Sequence, residues 1–187
     1  MADVPARDRW GTPPGVWICP LHWLGRNIYD LDAAAEEGRH VGCVRYLNAE
    51  DDALHNDWPM PERSGVLAPL AWLNPPFSRH SGGKAAWIEQ ARRQAARGWV
   101  VALYLPCYAD VDVALLPTVA RWSVMMVGRV AHVPPPGIAA SHPDRHAHAI
   151  HLLAPPSLYV PQPPSPCWDW RSVRWASAPP LTTKEPT

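Results

Sequence analysis

Apolar positions in this chain fall into short dense runs broken by proline, glycine and small polar residues, a pattern that alternates helices with strands. Residues 15–24 read as an apolar helix approached through Thr12-Pro13-Pro14, where a proline in the first turn is harmless because that N–H has no helical partner. Strands are predicted over 27–31 and 41–47, separated by the small-residue turn Asp32-Ala33-Ala34-Ala35. An acidic connection, 48–58, ends at the breakers Pro59 and Pro61. Residues 66–73 are short and apolar, as a buried parallel strand is, provided Pro69 lies at its beginning or in the preceding loop. The clearest helix is 84–97, with Gly98 as its stop and Arg92, Arg93 and Arg97 at the negative end of its dipole. Residues 99–105 form a strongly apolar strand closed by Pro106, and 74–81 between them is a loop by composition. A further helix is predicted within 110–121, followed by strands at 123–127, 129–133 and 146–153.

This alternation predicts an α/β fold, a mainly parallel sheet with helices on both faces. Ligands of such sheets bind at the carboxyl ends of the strands, and both Asp32 and Asn74 follow predicted strands there. From Ala154 onward prolines recur too often for a packed element. The chain therefore divides into a folded domain, 1–153, and a proline-rich, poorly ordered C-terminal tail, 154–187, that contains Trp168, Trp170 and Trp175.

Composition narrows the class. A chain of 187 residues, 47% of them hydrophobic, suits one compact domain with a proper core. No stretch approaches the roughly 18 apolar residues of a membrane span, and residues 1–10 lack the apolar run of a signal peptide. A cytoplasmic protein with no membrane partner is the expectation. Cys19, Cys43, Cys107 and Cys167 are scattered without a C-x-x-C pair, which favours buried thiols over a metal or redox motif. The zero net charge conceals an asymmetry: residues 1–70 hold 11 acids and 6 bases, the remainder 6 acids and 11 bases. That distribution suits an enzyme with a cationic cofactor on one side and a polyanion on the other.

The chemistry concentrates on Asn74-Pro75-Pro76-Phe77, directly after a predicted strand. The prolines fix the backbone and remove two donors, leaving outward carbonyl acceptors to which Asn74 adds its side-chain carbonyl. Such a set suits an exocyclic amino group, and Phe77 offers a face on which a base stacks for about 1–3 kcal/mol. With 24 prolines in the chain, Pro-Pro alone carries no information, and a proline turn beside a buried Phe is the plain alternative.

The flanking segments supply the context. Taken in order, Trp10-x-Thr12-Pro13-Pro14, Asp30-Leu31-Asp32-Ala33-Ala34-Ala35, Asp51-Asp52-Ala53-Leu54 with Trp58, and Trp72-Leu73-Asn74-Pro75-Pro76-Phe77 resemble the phage-type DNA N6-adenine methyltransferases, the Dam-like family of phages and prophages. Trp87, the strand ending in Leu105-Pro106, and Gly128-Arg129 continue the likeness, which extends roughly over residues 10–153. The resemblance implies a Rossmann-like S-adenosylmethionine-dependent methyltransferase acting on double-stranded DNA in a bacterial host cell. Thr12 and Pro13 would line the methionine end of the cofactor, Asp32 would occupy the cofactor turn, and Asp52 would stand beside the cofactor's adenine amino group. Asn74, Pro75, Pro76 and Phe77 would hold the flipped target adenine. The turn after Asp32 departs from many methyltransferases in lacking Gly-x-Gly, and Phe77 stands where tyrosine is frequent. The same acceptor loop serves amino-methylation of cytosine N4, RNA adenine or protein glutamine. A noncatalytic nucleic-acid-binding phage protein is the reading from another class.

Arg79, His80 and Lys84 either meet the DNA backbone or form a solvated helix start, and Arg129 is either a phosphate ligand or a strand-end charge. His142, His146, His148 and His151 either line a polar strand face near phosphates or gather a metal; the isolated spacing favours no metal. The chain leaves little room for a separate target-recognition domain. Its target site is therefore expected to be short, degenerate, or read partly by a second subunit, the protein being a monomer or a homodimer.

Overall fold

The computed structural model describes residues 10–36, 41–62, 67–76, 82–107, 116, 120–135, 137 and 146–172. Its elements run α1 (Pro14–Leu24), β1 (Tyr29–Asp32), β2 (Cys43–Tyr46), β3 (Leu70–Leu73), α2 (Gly83–Ala96), β4 (Val100–Pro106), β5 (Trp122–Met126), β6 (His148–Leu153) and β7 (Cys167–Trp168). The strands form one mixed seven-stranded sheet, ordered β2-β1-β3-β4-β6-β5-β7. β1 pairs in parallel with β2 and β3, and β3 with β4, whereas β6 runs antiparallel to both β4 and β5. β7 is parallel to β5. Every strand but β6 thus points the same way, and their carboxyl ends share one edge of the sheet.

Strand periodicity divides the core into two layers. One contains Tyr29, Leu70, Trp72, Val100, Ala102, Tyr104, Ile150 and Leu152 against α1; the other contains Leu31, Ala71, Leu73, Val101, Leu103 and Leu153 against Trp87, Ile88, Ala91 and Ala95 of α2. The expected helices on both faces are therefore present, two among the described residues. β3, β4 and β6 are buried along their whole length, as central strands covered on both faces must be. Pro69 lies just before β3, where its carbonyl accepts from the Val100 N–H at 2.8 Å and its missing donor removes no ladder bond. Arg26 and Asp30 (2.7 Å) pair at the start of β1, and Asp30 also accepts from the Leu70 N–H at 2.9 Å, tying β1 to β3.

Two expectations change, and a third falls mostly outside the described residues. Residues 129–133 form no strand; only Val133 pairs, as an isolated antiparallel bridge to Gly11. The alternation read there as a strand belongs to a connection with one docking point. The helix expected within 110–121 lies mostly outside the described residues. Finally, the proline-rich stretch after Ala154 packs on the body as far as Ser172: Cys167–Trp168 is the edge strand β7, and Trp168 and Trp170 lie against the α1 layer. The reason is α1 itself. Val16, Trp17, Ile18, Cys19, Pro20 and Leu21 are all buried, so this helix has no polar face and needs cover on both sides. The strap supplies it, with the Trp168 Nε1 donating to the Gly15 carbonyl at 2.8 Å and its ring edge-on to Trp23 at 5.2 Å.

Candidate functional site

Chain order sets the location. From β1 the chain goes first to β2 on one side and then to β3 on the other, so the strand order reverses at β1. A crevice opens at such a switch point outside the carboxyl ends of the strands. Asp32 ends β1 and Asn74 immediately follows β3, opposite each other across that point, with Asp32 in register with Trp72. The segment carrying Asp52 follows β2 on the same edge.

Asn74 is held by a residue 62 positions away. Its Nδ2 donates to Thr12 Oγ1 at 2.9 Å, while its Oδ1 is buried and accepts nothing among the described residues. A buried acceptor without a donor is costly, and in a native site it signals a missing partner. Thr12 is carried to this place by the Gly11–Val133 bridge, whose two backbone bonds measure 2.8 and 2.9 Å. Pro75 is buried and Pro76 half-buried behind the amide. The expected roles of Phe77, Arg79 and His80 fall on residues outside those described.

The two aspartates differ. Asp32 is buried, and its carboxylate accepts from the backbone N–H of Val41 at 3.0 Å and of Ala34 at 3.3 Å. It closes the turn after β1, and its charge adds to the burial that pushes the Tyr29 hydroxyl and the Cys43 thiol up from their ordinary pKa values. Ala33 and Ala35 donate their N–H groups to the Trp72 and Leu47 carbonyls, each turn donor being used within the fold. Without the expected glycines, this turn presents small side chains and a held carboxylate rather than a row of open amides. Asp52 is exposed, at a positive φ of 46°, with its carboxylate 2.8 Å from His55 Nδ1. Its loop hangs on α2, where Gln90 Nε2 donates to the Ala53 carbonyl, and on Trp58, whose Nε1 donates to the same oxygen.

The cationic candidates surround the other flank. Lys84 stands half-buried at the start of α2, after Gly82 and Gly83, whose φ values of 87° and 69° favour glycine. Arg129 is exposed after Gly128 at the carboxyl end of β5. The histidines separate: His148 faces the α1 layer, stacked on Tyr104 at 5.0 Å, while His151 faces the opposite side, bonded through Nδ1 to Ser123 Oγ at 2.8 Å. His142 lies outside the described residues, and among those described no three potential ligands gather as a metal site.

One group escaped the sequence reading. Trp72, Tyr104 and His148 stack across β3, β4 and β6, and His148 Nε2 lies 3.4 Å from His132 Nε2. In the register of the Gly11–Val133 bridge, His132 stands across from Thr12. Aromatic packing thus supports from beneath the segment that holds Asn74. Trp72 opens the acceptor segment and His148 belongs to the histidine group noted in the sequence, but no local pattern marks their stacking with Tyr104 or the approach of His132.

A family model described as DNA N-6-adenine-methyltransferase (Dam) matches residues 2–135, well over half of the chain. The chain belongs to that family. It is accordingly an enzyme that methylates adenine N6 in DNA. No curated protein and no solved structure matches it. The match takes in Thr12, Asp32, Asp52 and Asn74 and ends before β6 and β7. Among the described residues, no helix is long and apolar enough to cross a membrane.

Proposed function

We propose that this Dam-family enzyme holds the target adenine, flipped from double-stranded DNA, by its N6 amino group on Asn74 Oδ1, with S-adenosylmethionine bound beside it at the carboxyl ends of β1 and β2. The observation that carries this reading is the buried, unpartnered Oδ1 at the switch point. Its orientation is chosen by Thr12, which takes the amide's donor and leaves the acceptor for the substrate. A Rossmann-like methyltransferase sheet is supported by the reversal at β1 and by the single antiparallel strand between β4 and β5.

The residues present fit the cofactor. Thr12 and Pro13, the Asp32 carboxylate and the Asp52 loop lie on the acidic side of the edge, complementary to a ligand carrying a sulfonium and an ammonium. When bound, S-adenosylmethionine supplies an electrophilic methyl group. The protein's own contribution is positional. Asn74 Oδ1 accepts one N–H of the adenine amine, and Pro75, which has no N–H of its own, leaves its carbonyl for the other. Accepting both concentrates the nitrogen lone pair on the side facing the methyl, and no general base is needed beforehand because the amine is neutral. Fixed acceptors in a dry crevice cost no reorganisation during the reaction. Phe77 would stack on the base, and Lys84 and Arg129 would meet DNA phosphates.

Asn74→Ala tests the reading. Methylation of a duplex should fall by about 10²-fold or more, with thermal stability and the calorimetric affinity for S-adenosylmethionine nearly unchanged. Turnover at the wild-type rate in that variant overturns the mechanism.

A further inference from the structure

The strap formed by residues 154–172 brings a second arginine to the turn that carries Arg129. β7 runs parallel to β5, so the ends of both strands reach the same edge as Asn74, and Arg171 follows β7 as Arg129 follows β5. Gly128, whose φ of 73° favours glycine, is the point of contact. A Cβ built on it would lie 3.5, 3.7 and 3.7 Å from Arg171 Nη1, Cζ and Nη2. Nearly equal distances to three guanidinium atoms place the group over the glycine at ordinary van der Waals contact. Asp169 Oδ1 accepts from Arg171 Nε at 3.1 Å and from its backbone N–H at 3.2 Å. That carboxylate orients the guanidinium through Nε and leaves the Nη1 and Nη2 fork without a bond among the described residues. Arg129 is exposed and makes no bond or ion pair there either.

We propose that Arg129 and Arg171 form a two-arginine clamp for a backbone phosphate of the DNA, with the strap serving to deliver Arg171. The inference rests on the reading of function given above and adds a contact that lies beyond the residues matched by the family model. A guanidinium oriented at Nε presents its remaining fork for two parallel bonds to phosphate oxygens, which an ammonium cannot do. Asp169 is the one acid facing the clamp among the described residues of β5, β7 and their following turns, and its charge is already engaged with Arg171. The clamp stands on the cationic side of the edge, opposite the acidic loops after β1 and β2. It contacts no base, so it contributes affinity without sequence preference.

Binding of a short fluorescent duplex, followed by anisotropy across a salt series, tests the clamp. Arg171→Ala and Arg129→Ala should each lower the slope of log K against log salt by about one and weaken target and nontarget duplexes equally. The KM for DNA should rise several-fold while kcat at saturating DNA holds. Arg171→Lys should restore the slope and only part of the affinity, whereas Arg92→Ala, on α2, should leave both unchanged. An unmoved slope in the double variant of a protein whose wild type methylates DNA overturns the clamp alone. A lowered melting temperature with an unmoved slope does the same, making Arg171 a strap anchor only. Wild-type protein that neither binds nor methylates duplex DNA overturns the reading of function instead.

Discussion

Asn74 draws its meaning from a partner the local sequence does not contain. An amide beside two prolines presents acceptors, and that much follows from stereochemistry alone. Which end of the amide faces the crevice depends on Thr12, 62 residues away. Thr12→Val removes the acceptor for Nδ2 and frees the amide to turn. With a hydrogen bond contributing about 1 kcal/mol net, kcat for DNA methylation should drop about fivefold while the melting temperature stays within experimental error, and Thr12→Ser should restore it. A Thr12→Val enzyme with unaltered kcat would show that Thr12 does not orient the amide. Asp32 and Asp52 make the same point from the other side. Both are legible as acids after strands, but burial and two backbone donors hold Asp32 within the fold, whereas Asp52 stays exposed beside His55.

At the scale of elements, periodicity located the strands and α2 to within a few residues, and the outcome diverged where an element depends on distant cover. α1 is apolar on all sides because two layers bury it, the sheet and the strap. The density of prolines after Ala154 argues against a helix or a long strand. A two-residue edge strand anchored by tryptophans, however, asks little of the backbone. Gly15 is a tight point of this docking: a Cβ there would run into the Trp170 carbonyl oxygen. Gly15→Ala should therefore destabilise the protein by about 1–3 kcal/mol through overpacking and make the segment after Val160 an early site of limited proteolysis. Unchanged melting and cleavage would mean that the strap's contact with α1 adds no stability.

At the scale of the whole molecule, stability is expected to depend on pH through His151. Burial pushes this imidazole down to about 4, while in the unfolded chain it titrates near its ordinary value of about 6.5. Between those values the unfolded state binds a proton that the folded state refuses, so stability falls as pH drops through that window. The loss from this group should approach about 3 kcal/mol by pH 4. Urea unfolding at neutral and acid pH measures it, and His151→Leu, which removes the titrating group, should flatten the dependence over the same interval. An identical pH profile in that variant would assign the acid sensitivity to other groups. The division of charge also belongs to this scale: acids cluster beyond β1 and β2, while arginines gather beyond β5 and β7, which lets one edge of a neutral molecule face a cation and a polyanion at once.

The sequence by itself determined the alternation of strands and helices, the proline turn that begins after β3, and the placement of Asp32 and Asn74 on one edge. These follow from side-chain period, proline geometry and chain order, all of which act within a few residues or through simple topology. Only the tertiary structure decided that Thr12 orients Asn74, that Asp32 is internally held, that a stack of Trp72, Tyr104 and His148 underlies the site, and that the proline-rich segment closes over α1. Each of these depends on burial or on a hydrogen bond between distant segments. Such contacts form only once strand register has chosen which face each side chain occupies, and no local pattern encodes that choice.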